Sequence, residues 1–163
     1  MKEKLLLRTA TEAYCFQPCQ IVCVEADGNY SNLHLSNGND YLLSFQLGQV
    51  ESIIKEQLSY THCSFVRVGK SLIINLDELI SISLPRQTLE MHLPSGEKML
   101  LNASREALKK LMNLLEEHQK NGMLRSINVR PTQDRAPALL RGHRNAAINE
   151  DDIRVIIGMH ILR

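Results

Sequence analysis

Apolar and polar positions alternate with a period of two over most of the first hundred residues, and the pattern shifts to a helical period near Leu47–Leu58, near Leu108–Leu115 and again at Asn149–Ile157. Leu5 to Leu7 and Tyr14 to Phe16 read as short strands around the turn-like Thr9–Glu12. Gln20 to Ala26 is a firmer strand, closed by the turn signal Asp27-Gly28-Asn29. Tyr30 to Leu35 follows with Leu33 and Leu35 on one face. After Asn37-Gly38-Asn39, a third strand runs from Tyr41 to Leu43, so the three predict a β-meander. Ser44 then reads as a helix N-cap, with Leu47, Val50, Ile53, Ile54 and Leu58 as one apolar stripe.

The stretch His62 to Ile82 opens with alternation, breaks at Gly69, and resumes as the apolar run Leu72 to Ile74. Between its two arms lies Gly69-Lys70-Ser71, a turn that carries a long cation at its tip. Leu76 to Leu79 is a brief connection, and Ile80 to Leu84 a strand. Pro85-Arg86-Gln87 and Pro94-Ser95-Gly96 bracket another strand, Thr88 to Leu93, and Lys98 to Leu101 is the last. Asn102 or Ser104 caps a helix running to about His118. Leu108, Leu111, Met112 and Leu115 form its buried face, and Asn121-Gly122 ends it.

Beyond this point the composition changes. Residues 1–121 hold 8 Lys and 4 Arg against 14 acids, a net of −2, whereas residues 122–163 hold 7 Arg, no Lys and 4 acids, a net of +3. A domain boundary is placed near 121. Within the second segment only Asn149 to Ile157 regains helical potential, with acids at 150–152 in the first turn. The formal charge of the whole chain is only +1, so affinity for nucleic acid would rest on a local basic patch. No apolar run reaches the ~20 residues that span a bilayer. The start is too short for a signal peptide, and the four cysteines form no CxxC pair, which together point to reduced thiols in the cytoplasm.

Three pieces of the chain, QIVCVEADGNYSNLHLSNG, FVRVGKSLIINLDELISI and LPSGEKMLLNASREALKKL, stand in an order that resembles a LytTR-type DNA-binding domain. That domain is the output module of many bacterial response regulators of the LytR/AlgR kind in two-component systems. The resemblance covers about residues 5–118. It is carried most specifically by EADGNY, by the pattern from Phe65 to Asn75, and by the Ser104-Arg105 opening of the last helix. It implies a mainly β fold (α+β) of small antiparallel sheets with short helices, to which this chain adds a C-terminal Arg-rich extension. It further implies that double-stranded DNA is read by loops, with two copies on short direct repeats in promoters. No receiver domain precedes the domain here, so the expectation is a stand-alone regulator, with a separate sensor or regulator protein as a possible partner.

The resemblance aligns the binding positions at Asn29 to Ser31, at Lys70 and at Arg105; Ser71 beside Lys70 and Lys109 one turn beyond Arg105 complete the DNA-binding candidates. Lys70 offers a mobile ammonium to a guanine edge or a phosphate, though a turn lysine is ordinarily just solvated. Arg105 at the first position of a helix is disfavoured by the dipole, while the helix start itself attracts phosphate. Asn29 is equally explained as a turn former. Tyr30 is read as packing beneath the loop, Lys109 and Lys110 as solvated, and Arg67 as pairing with an acid such as Glu25. Asn75 ties backbone groups.

His62-Cys63 invites a nucleophile and base, but neighbours on a strand face opposite ways, so no catalysis is expected. Cys15, Cys19 and Cys23 recur every four residues in strand-like surroundings and read as core thiols; no metal or cofactor is expected. The competing reading is a β-rich protein-interaction module that modulates another regulator. For residues 122–163 three readings stand open: a flexible, partly disordered basic arm, a docking or dimerisation element using Ile153 to Leu162, or an appended stretch without a role.

Overall fold

A computed structural model describes residues 3–58, 64–126 and 153–155. Its centre is a six-stranded antiparallel sheet in the order β11-β6-β7-β3-β4-β5, made of β3 (Ile21–Asp27), β4 (Tyr30–Leu35), β5 (Asp40–Leu43), β6 (Phe65–Val68), β7 (Leu72–Asn75) and β11 (Ile153–Val155). The hairpin β1 (Leu5–Arg8) and β2 (Ala13–Phe16) forms a second sheet. The third contains β8 (Leu79–Ser83), β9 (Thr88–His92) and β10 (Lys98–Asn102) in the order β10-β9-β8. The two helices are α1 (Leu47–Gln57) and α2 (Arg105–Ser126).

The central sheet is covered on both faces. Val24, Leu33 and Ile73 face one core with the hairpin and α1, and Cys23, Leu72 and Ile74 face the other with the three-stranded sheet and α2. Burial on both sides is why β7 reads as an unbroken apolar run. A bulge at Val22 shifts the β3 register, so that Val22 and Cys23, although adjacent, join the same core. Asn75 closes the run by donating to the Ile21 carbonyl at 3.0 Å and accepting from the Asp77 amide at 3.1 Å.

Several expectations are corrected. The N-cap of α1 is Gln46, not Ser44; its amide donates to Gln49 Oε1 at 2.9 Å, the return half of a capping box. Ser104 does cap α2, its Oγ accepting from the Ala107 amide at 3.2 Å, and Arg105 takes the first helical position. That helix continues through Gly122 to Ser126, past the expected end, and its buried stripe, Ala107, Leu108, Leu111 and Leu114, packs it against the sheets. Met112 lies outside the stripe and is partly exposed. Cys15 and Cys19 are exposed, leaving Cys23 as the buried thiol of the three. His62 and Cys63 lie outside the described residues. Within the stretch expected to be helical, Ile153–Val155 is a strand, because the open edge of β6 offers backbone partners that an isolated helix turn lacks.

Candidate nucleic-acid interface

Three connections meet at one end of the central sheet. β3 and β7 run antiparallel with Glu25 opposite Leu72, and the Ala26 amide donates to the Ser71 carbonyl at 2.8 Å. The β3–β4 turn, Gly28-Asn29, therefore lies beside the β6–β7 turn, Gly69-Lys70-Ser71. Gly69 adopts φ +63, which L side chains rarely take, and a Cβ built on it would stand 3.5 Å from the Ala107 Cβ. The first turn of α2 is thus in contact with the Lys70 turn. Asn29, Lys70, Ser71, Arg105 and Lys109 are all exposed around this junction. The side chains of Lys70, Arg105 and Lys109 make no hydrogen bond or ion pair among the described residues. Four residues separate Arg105 from Lys109, so both cations project from the same side of α2.

Ser31 does not join them. It is fully buried, and its hydroxyl donates to the Phe45 carbonyl at 2.8 Å, which fixes the connection into α1. Its neighbour Tyr30, expected beneath the loop, is instead 49% exposed. Strand alternation accounts for the exchange: Ser31 shares a face with the buried Leu33 and Leu35. Asn29 is steadied from the same connection, where Gln46 Nε2 donates to its Oδ1 at 3.3 Å.

The Lys70 turn is braced from below. Arg67 Nε donates to the Gly69 carbonyl at 3.0 Å, Nη2 to the Lys70 carbonyl at 2.6 Å, and Nη1 to Glu51 Oε2 at 3.0 Å. The acid paired with Arg67 is therefore Glu51 of α1, and Glu25 is engaged elsewhere. Glu51 is buried, with Lys55 Nζ at 3.3 Å from its other oxygen. One planar guanidinium thus ties two turn carbonyls to a helix, a geometry that a lysine does not reproduce. The signal for this brace was an acid on the apolar stripe of α1, between Val50 and Ile54, where an unpaired carboxylate is costly to bury.

A negative boundary flanks the junction. On one face of β3–β5, buried His34 sits between the partly exposed carboxylates of Glu25 (Nε2 to Oε2, 2.8 Å) and Asp40 (Nδ1 to Oδ1, 2.6 Å), with Asp27 opposite Tyr30 nearby. These carboxylates disfavour a polyanion lying across the sheet face and leave the end of the sheet as the approach.

The model of the LytTr DNA-binding domain matches residues 11–116, which takes in all the connections just described. The chain belongs to the LytTr DNA-binding domain family. The LytTr domain of a putative methyl-accepting/DNA response regulator from Bacillus cereus is a solved structure similar to it. That likeness is 17% in identity, with a TM-score of 0.49 over 71% of this chain and 98% of that one. Among curated proteins nothing matches. As a LytTr protein the chain falls in a family defined by DNA binding. No helix among the described residues is long and apolar enough to cross a membrane.

Proposed function

We propose that this LytTr protein is a sequence-specific transcriptional regulator of the cytoplasm that reads promoter direct repeats as two copies. Asn29, Lys70, Ser71, Arg105 and Lys109 would face the duplex. The observation that carries this reading is the convergence of the two turns and the start of α2 at one end of the sheet. Lys70, exposed on the β6–β7 turn, suits a guanine O6 or N7 in the major groove. Arg105 offers a forked donor beside the amides of the α2 N-terminus, where a phosphate is favoured. Two copies on one side of the duplex require half-sites about one helical turn apart, roughly 10.5 base pairs.

Selection of bound fragments from a random duplex pool, followed by gel-shift titration, tests the proposal. The expected result is a recovered direct repeat and a loss of specific affinity of roughly 1–3 kcal/mol in each of Lys70→Ala and Arg105→Ala, with folding intact. Full affinity retained in both variants would overturn the site. A wild-type chain that enriches no sequence, with affinity indifferent to salt, would point to the protein-interaction module instead.

A further inference from the structure

The β8–β9 turn has features that neither the core nor the three connections above explain. It spans residues 84–87 between the paired Ser83 and Thr88, and Gln87 has φ 53, the one positive φ among the described non-glycine residues. Such a conformation is held against its local cost only when the surroundings fix it. Here they do. The Gln87 amide donates to the Leu84 carbonyl at 3.2 Å, and the Gln87 carbonyl accepts from the Ala103 amide at 3.1 Å. Thr88 pairs with Asn102, so the turn is fastened to the residues that lead directly into the Ser104 cap and Arg105. Pro85 fixes a further backbone angle.

At the tip of this fastened turn stands Arg86. It is exposed, and its guanidinium has no hydrogen bond or ion pair among the described residues, in contrast to that of Arg67. We propose that Arg86 is an additional DNA contact, taking a backbone phosphate that flanks the bases read from the α2 start. This rests on the proposed function and extends its footprint. Phosphate is favoured over a base edge because of position. The α2 start adjoins this turn through the Ala103–Gln87 bond and the Lys70 turn through the close approach of Ala107 to Gly69, so Arg86 would flank the junction, where groups meet the sugar–phosphate backbone. A guanidinium held on a rigid turn loses little freedom when it forks onto two phosphate oxygens.

The test uses the full chain and the duplex recovered by selection with the wild type, titrated across a range of salt. Arg86→Ala is expected to bind on the order of tenfold more weakly at low salt. The slope of log affinity against log salt should be shallower by about 0.9, the value for one fewer neutralised phosphate. The ratio of specific to random-sequence affinity should stay as in the wild type, and Arg86→Lys should keep the slope. Wild-type affinity and slope in Arg86→Ala would overturn this contact while leaving the proposed function standing. Relaxed preference at one base position would overturn the phosphate assignment. A wild-type chain that binds no duplex would remove both.

Discussion

Replacing Arg67 with Ala should separate holding the reading turn from touching DNA. The guanidinium is nearly buried, 14% exposed, and Glu51 is 5% exposed. Breaking a buried pair by removing one partner costs about 3–5 kcal/mol, because the other charge stays behind. Lys55 remains beside the second Glu51 oxygen, which trims that cost, while the bonds to the Gly69 and Lys70 carbonyls vanish as well, each worth about 1 kcal/mol. The expected loss is therefore about 3 kcal/mol, read as a lower urea midpoint with an unchanged m-value. The double variant Arg67→Met/Glu51→Leu removes both charges and should recover most of the stability. It should still bind the selected duplex poorly, because the Lys70 turn has lost its brace, while the salt slope stays near that of wild type. A loss below 1 kcal/mol in Arg67→Ala, or full affinity in the double variant, would refute the reasoning.

Ser31→Ala should cost about 1 kcal/mol in stability by removing its bond to Phe45, and DNA affinity at matched folded fraction should not change; a binding defect without a stability defect would return Ser31 to the interface. Burial, with Glu25 and Asp40 adding to it, pushes the Cys23 thiol pKa up. In the native chain an alkylating reagent should therefore label Cys15 and Cys19 and reach Cys23 only on unfolding, as peptide mapping would show. Lys98, with Nζ at 2.7 Å, and the Ser81 hydroxyl at 2.9 Å hold the Glu90 carboxyl below its usual range. A lowered folded pKa stabilises at neutral pH and stops doing so as pH falls through it. The stability gap between wild type and Lys98→Ala should thus close on acidification; a gap that widens would contradict the pairing.

How much of this was legible in the chain depends on how local each determinant is. Strand alternation and the Gly-Asn and Gly-Lys-Ser turns act over a few residues, so β3 to β7 and both turns could be placed without coordinates. The continuous run Leu72-Ile73-Ile74 stood out as an apolar strand, and its burial on both faces is the reason it is unbroken. Exposure at the site was harder to read. The resemblance aligned Ser31 with the binding turn, yet its parity with Leu33 and Leu35 already assigned it to the core side. Glu51 drew no reading from the sequence, because its role depends on Arg67, 16 residues away. Arg86 was visible only as part of a turn, since nothing local says that its strand end abuts the start of α2. The Ile153–Val155 strand was missed for a similar reason: the edge of β6, remote in sequence, sets its conformation. The readings given for residues 122–163 fall, apart from the end of α2 and Ile153–Val155, outside the described residues.

The most direct test of the central claim is backbone amide mapping of the isotopically labelled full chain as the selected duplex is added. The convergence of the turns and the α2 start predicts that the largest shifts cluster at residues 28–30, 69–71, 86–87 and 104–107. Shifts should be small along β1, β2 and the C-terminal turn of α1. Large shifts centred on the β1–β2 hairpin, with residues 69–71 and 104–107 unmoved, would contradict it.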